Sequence, residues 1–222
     1  MRSAVKTGET WFSNKLVKAL SQLKYPVFFM DFESLNPAIP RFSGMWPYSQ
    51  IPFQWSVHRQ LTPQAHLDHF EFLAEDEADP RREFIESLCD VLGTRGQIVV
   101  YNAAFESQRL SELADWLPEC GARIQNIRGR LWDLLPFVRE HVYHPAFRGS
   151  FSVKSVLPAL VPEMTYETMQ VADGGQAGLA WDQMIRGELN PVERQRLKAA
   201  LLAYCRQDTL AMVKILQWLR EA

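Results

Sequence analysis

Asp31 and Glu33 stand two residues apart in the stretch VFFMDFESL. On a strand their side chains point to one face, with Cα atoms roughly 7 Å apart. Two carboxylates so placed repel each other unless a positive charge lies between them; the plain alternative is a strand running into a solvated loop with two exposed acids. Near the other end of the chain Tyr204 and Asp208 are four residues apart, so on a helix phenol and carboxylate share a face. There the alternative is a tyrosine turned to the core and an aspartate turned to water. A third stretch, Tyr101-Asn102-Ala103-Ala104-Phe105-Glu106, puts an acid in the first turn of a helix, where Glu106 can also simply complement the helix dipole. Carboxylates are hard oxygen ligands of the kind divalent cations prefer.

The elements that must position these groups follow from apolar spacing and turn residues. Val27 to Phe32 reads as a strand, followed by a loop holding Pro37, Pro40, Pro47 and Pro52 and then by strands over Phe53 to Leu61 and His66 to Leu73. Three strands in succession predict an antiparallel meander. Asp79-Pro80 caps a helix carrying Phe84, Ile85, Leu88, Val91 and Leu92, which Gly93 ends. Gln97 to Tyr101 is a buried strand, and Asn102 is the expected N-cap of a helix over Ala103 to Leu117 that Pro118 terminates. Shorter helices are expected around Asp133 to His141 and Ser152 to Leu160, with Gly174-Gly175 as a turn before Gln176 to Arg186. The last element starts at Asn190-Pro191-Val192-Glu193, a capping signature, and stays apolar to Leu219. Unbroken, it would be about 46 Å long, so a break near Ala203 is expected. Strands first, then alternation, then helices define an α/β sheet with helices packed on it.

Composition sets the limits. The chain has 222 residues, with 24 Lys and Arg against 26 Asp and Glu for a net charge of −2, which excludes a polybasic coat. Nucleic acid, if bound, is gripped locally at a cleft. Hydrophobic residues at 47% and charged residues at 23% are those of a globular domain, expected over residues 25–222 with residues 1–24 as an N-terminal extension. Apolar runs such as Val27 to Met30 are far short of the roughly 18 residues of a membrane span, and Met1 to Leu16 does not read as a secretory signal. A cytoplasmic protein is the expectation. Cys89, Cys120 and Cys205 lack the spacing of a disulfide framework or zinc site.

Taken in order, the three acidic pieces resemble the DEDD 3′-5′ exonucleases of the ribonuclease H-like superfamily. Asp31-Phe32-Glu33 matches the first motif, and Asn102 to Glu106 the second, with Glu where that family usually has Asp. Tyr204 and Asp208 match the third motif in its tyrosine branch; Ala203, five before Asp208, takes the place a histidine branch would need. The resemblance spans about residues 25 to 220. Within it, DFESLNPAIPRF, YNAAFE and YCRQDTLAM resemble an uncharacterised bacterial domain family that often forms the C-terminal part of longer chains.

The resemblance implies a ribonuclease H-like mixed sheet, an antiparallel meander followed by parallel strands, flanked by helices. It implies a metal-dependent 3′-5′ exonuclease or oligonucleotidase acting on the 3′ ends of single-stranded DNA or RNA, with two divalent ions, Mg²⁺ or Mn²⁺, as cofactors. Asp31 would bridge both ions, Glu33 and Asp208 would complete the first, and Glu106 would reach the second directly or through water. Tyr204 would orient the attacking water by hydrogen bond. The extra methylene of Glu106 implies a preference for Mn²⁺, because Mg²⁺ tolerates distorted geometry badly. A second nuclease domain, linked or separate, is an implied partner. The competing expectation is a catalytically weak ribonuclease H-like module that binds nucleic acid or a partner protein.

Further residues carry weaker signals. Asn102, Phe105, Arg41, Arg109 and Lys154 are the candidate substrate contacts, with Arg148 beside them. His141 and His144 lack a third ligand nearby in sequence and read as ordinary core or surface histidines. Asp133 reads as a helix cap. Trp46, Tyr48, Phe53 and Trp55 read first as packing residues, with stacking on an unpaired base as the alternative.

Overall fold

A computed structural model describes residues 9–187 and 189–221; the first eight residues of the expected N-terminal extension lie outside the described residues. The first half of the chain forms β1 (Trp11–Phe12), α1 (Leu16–Leu20), β2 (Val27–Leu35), β3 (Ile51–Gln60), β4 (Leu67–Leu73), α2 (Arg81–Leu92), β5 (Gln97–Val100) and α3 (Ala104–Trp116). It continues through α4 (Gly121–Arg128), β6 (Leu131–Asp133), α5 (Leu134–His141), β7 (Val142–Tyr143), α6 (Val153–Leu160), α7 (Gly174–Ile185) and α8 (Pro191–Glu221).

Five strands form one mixed sheet in the order β4-β3-β2-β5-β6. β2, β3 and β4 are the antiparallel meander, while β5 and β6 run parallel to β2. Side chains alternate across β2, and each half of the alternation meets its own core. Val27 and Phe29 face α5, α6, α7 and α8, whereas Phe28, Met30 and Phe32 face α2, α3 and α4. The first face includes Phe53 stacked on Trp181 with ring centroids 4.5 Å apart, and the indole nitrogen of Trp181 donates to the Ala74 carbonyl at 2.8 Å. Each large apolar side chain so buried contributes about 1.5–3 kcal/mol. The chain before β2 joins this core: β1 pairs with β7, and α1 buries Leu16 and Leu20.

Three local expectations are corrected. α8 is continuous over 31 residues, with no break near Ala203. Its middle, Leu197 to Leu202, is made of strong helix formers, and its length is accommodated because Pro191, Val192 and Glu193 stay exposed. Gly174 and Gly175 are the first turn of α7, not a turn before it; the Asp173 side chain accepts from the Gln176 amide at 2.8 Å and caps them. Asn102 does not cap α3. It adopts a left-handed backbone, φ 76°, and the Asp133 carboxylate instead accepts from the amides of Asn102 and Ala103 at 3.0 and 2.9 Å. The same Asp133 accepts from the Leu135 amide at 3.0 Å and so caps α5 as expected, while it also holds the two residues that lead into α3.

Candidate active site

The alternation that puts Val27 and Phe29 against α8 also puts Asp31 and Glu33 there, at the carboxyl end of β2. A bulge between Glu33 and Ser34 ends the regular pairing and re-aims the strand. α8 supplies Tyr204 and Asp208 one turn apart, and α6 supplies Lys154. These five residues line one pocket of about 250 Å³, together with Phe105 from the first turn of α3. The first turn of α7 closes over Glu33: a Cβ at Gly174 would lie 3.3 Å from Glu33 Oε2, closer than a side chain normally sits, so glycine permits the approach.

The electrostatics are those of like charges held together. Burial, followed by the charges of Asp208, Glu33 and Glu106, holds the Asp31 carboxyl well above the usual carboxylate range. Burial and then Asp208 push Glu33 up to about 8, against the pull of Lys154. Asp208 rises only to about 6: burial lifts it, and hydrogen bonds from Tyr166 and Tyr204 together with Lys154 draw it back. Tyr166 Oη donates to Asp208 Oδ1 at 2.6 Å. Both phenols are driven far above their ordinary pKa, first by burial and then by Asp208, so each keeps its proton and acts as a donor. The Tyr204 hydroxyl is therefore engaged by Asp208.

Glu106 sits behind the pocket and not on its wall. It is 2% exposed, and its Oε2 has no hydrogen-bond partner among the described residues. Burial, with Asp133 adding to it, pushes its carboxyl up to about 8. The position follows from topology, because α3 belongs to the layer on the opposite face of the sheet and reaches this site only with its first turn. A set of hard carboxylate oxygens that repel one another, with a buried oxygen left unpartnered beside them, fits divalent cations. Asp31, Glu33 and Asp208 are placed to hold them from the pocket, and Glu106 from behind. Cys205 lies within 4.8 Å of Asp31 and Glu33, but burial and then Asp31 keep its thiol well above its ordinary pKa, so it stays protonated.

The remaining candidates divide. Lys154 is at the site, its ammonium bonded to the Ala172 carbonyl and lying 5.4 Å from the ring centre of Tyr204 and 5.7 Å from that of Tyr166. Arg41 is ion-paired with Asp182 on α7, and Arg109 with Glu112; neither lines the pocket. Asn102 is exposed and does not line the pocket, and Arg148 is exposed on a left-handed turn. His141 is buried against Phe137, with ring centroids 4.6 Å apart, and His144 Nδ1 accepts from the Ala146 amide at 3.1 Å. The aromatic group splits: Phe53 and Trp55 are buried, while Trp46 and Tyr48 are 78% and 66% exposed. Tyr166 is the residue that sequence reasoning missed. It sits between α6 and α7 in a segment without periodicity, and nothing local in the sequence ties it to Asp208.

An α/β domain with an acidic pocket at the carboxyl end of its central strand is the class of protein that fold and site define. Residues 28–152 match the family described as a domain of unknown function, DUF2779, and the chain belongs to that family. It is 23% identical to an uncharacterized protein of Ureaplasma parvum serovar 3, over 90% of this chain and 32% of that protein. It is 26% identical to an uncharacterized protein of Mycoplasma pneumoniae, over 91% of this chain and 33% of that protein. The chain spans about a third of the length of the curated relatives it matches.

Proposed function

We propose that this domain is a metal-dependent 3′-5′ exonuclease or oligonucleotidase of the ribonuclease H-like type, acting on single-stranded ends. The observation that carries the proposal is the convergence of Asp31, Glu33, Tyr204, Asp208 and Lys154 on one pocket in which the carboxylates repel one another. The antiparallel meander followed by parallel strands supports the fold assignment. Two Mg²⁺ or Mn²⁺ ions, when bound, would activate the attacking water and neutralise charge on the leaving oxygen. The chain's own residues would do the rest. Asp31, Glu33 and Asp208 would hold the ions, and Tyr166 and Tyr204 would fix the Asp208 carboxylate by donating to it. Lys154, already turned toward the pocket, would pair with a non-bridging oxygen of the scissile phosphate.

Burial of Glu106 off the pocket wall favours a second reading, a module that binds nucleic acid with little turnover. One assay separates the two. Single-stranded DNA and RNA labelled at the 5′ end are incubated with protein in excess chelator, Mg²⁺ or Mn²⁺. The exonuclease reading expects a ladder shortening from the 3′ end only with metal, lost at least about a hundredfold in Asp31→Asn and Asp208→Asn. It also expects both Glu106→Gln and Glu106→Asp to be impaired. Gain of activity in Glu106→Asp with both metals favours the weak module, and cleavage in excess chelator excludes this chemistry.

A further inference from the structure

Beside the acidic pocket lies a larger cleft of about 750 Å³. One wall is the loop joining β2 to β3, with Trp46 and Tyr48; the other is α3, with Arg109 and Trp116, and Arg81 at the start of α2 lies between them. The two concavities share α3: Phe105 lines the pocket, and Arg109, one turn later, lines the cleft with its guanidinium 5.2 Å from the Phe105 ring centre.

The cleft offers flat π surfaces. Trp46 and Tyr48 are exposed, and they are held there by a pinned loop. The Tyr48 amide donates to the Pro37 carbonyl at 2.9 Å, the Trp46 amide donates to Ser49 Oγ at 3.0 Å, and Arg41 ties the loop to Asp182. Tyr48 itself has a left-handed backbone, φ 62°, which costs a non-glycine residue about 1–2 kcal/mol. Trp46 and Tyr48 thus stand in water on a loop of fixed geometry, and the strain at Tyr48 is of the kind a fold keeps where a residue makes contact. Opposite, the Arg81 guanidinium lies 3.8 Å from the ring centre of Trp116, a further stacked plane. The arginines, by contrast, are already matched, Arg81 by Asp79 and Arg109 by Glu112, and Asp115 adds a further carboxylate to the lining. The cleft is therefore poor at collecting phosphates and good at collecting bases.

We infer that this cleft is a base-stacking track for single-stranded nucleic acid, continuous with the acidic pocket, in which Trp46 and Tyr48 hold unpaired bases. The inference rests on the nuclease reading for the choice of occupant. Bases of a duplex are not available to these rings, so the track selects single strands.

The test is binding of short fluorescein-labelled oligo-dT and oligo-U, measured by anisotropy in Mg²⁺ with the full chain carrying Asp31→Asn, so that no turnover is needed. Trp46→Ala with Tyr48→Ala should weaken binding at least about tenfold, since stacking is worth about 1–3 kcal/mol per base, while Trp46→Phe restores most of it. The exposed Val192→Ala, at the start of α8 and outside the lining of either concavity, serves as a control. The plot of log affinity against log salt should have a slope shallower than about 2, because few phosphates are engaged. Unchanged affinity in the double variant, a steep salt slope with no stacking loss, or no saturable binding by the parent overturns the inference; the last would point to a peptide or a second copy as occupant. Failure of the nuclease reading is told apart by the cleavage assay: a protein that binds through Trp46 and Tyr48 but never cleaves loses only the activity, and one that cleaves with both groove variants binding normally loses only the track.

Discussion

Asp208 and Thr209 are neighbours on α8 and face opposite conditions. Asp208 looks into a pocket where carboxylates crowd one another and Glu106 Oε2 has no partner among the described residues. Thr209 looks toward β3, where its hydroxyl meets Ser56 Oγ at 2.9 Å, His58 Nδ1 at 2.8 Å and the Arg206 carbonyl at 3.0 Å. Ser56 Oγ in turn lies 3.0 Å from His69 Nε2. Both regions are buried and polar, and only the second is satisfied. A satisfied network fixes the register of α8 on the sheet, whereas an unsatisfied one costs stability unless something charged binds there. Folds keep such a cost at sites where it serves function.

The difference can be broken from the satisfied side. Thr209→Val keeps the shape and removes the hydroxyl, leaving Ser56 with His69 and His58 Nδ1 without its partner. Each buried polar group so orphaned costs about 1–3 kcal/mol, and about 1 kcal/mol lowers the melting temperature of a chain this size by roughly 2–4 °C. The variant should therefore melt several degrees lower, with or without divalent metal. A thermal scan with an unchanged midpoint would mean that the network does not hold the helix.

From the unsatisfied side the sign reverses and the effect is smaller. At pH 9, above the value of about 8 to which Glu33 is pushed, Glu33→Gln removes one of the repelling charges, so in chelator it should melt higher than the parent, by about 2–4 °C. The parent should gain stability on adding Mg²⁺, because a ligand that binds only the folded state stabilises it by mass action, and the variant should gain much less. A variant that melts lower in chelator would show that the acids do not strain the fold.

Most of this arrangement was legible in the sequence, for physical reasons that also explain the gaps. The apolar run Val27 to Phe32 marked a strand, whose two-residue repeat put Asp31 and Glu33 on one face, and capping residues marked α2, α5 and α8. Contacts that depend on tertiary packing were not legible. β6 is three residues long, too short to show a period, yet it carries Asp133, whose carboxylate replaced the Asn102 cap. Tyr166 reaches Asp208 across 42 positions of sequence from a segment with no pattern. Arg41 and Arg109 were chosen for their charge alone, and the structure shows each already paired. The expected break in α8 came from comparing its length with a domain diameter, which ignores that a helix end can project beyond the core.

The least costly test of the contrast is the pH dependence of melting in chelator, because the two regions titrate in opposite senses. Glu33 and Glu106 rise from an ordinary 4.5 to about 8 in the folded protein. Folded protein thus holds protons that unfolded chain has released, and the stability these acids confer is complete below pH 4.5 and lost as pH climbs toward 8. His58 and His69 fall from an ordinary 6.5 to about 3 and about 4, first through burial. Unfolded chain takes up their protons as pH drops below 6.5, so their contribution is lost on the acid side. Between about 4.5 and 6.5 the two trends oppose each other, but Asp31 and Asp208 are raised as well, so the carboxylates prevail and the melting temperature should already fall as pH rises through this window. On the proposed function, saturating Mg²⁺ should remove the alkaline decline and leave the acid one, since the carboxylates and not the histidines would hold it. Melting that rises from pH 6.5 to 8 in chelator would show that the acids are ionised and compensated without metal, and the contrast between Asp208 and Thr209 would then vanish.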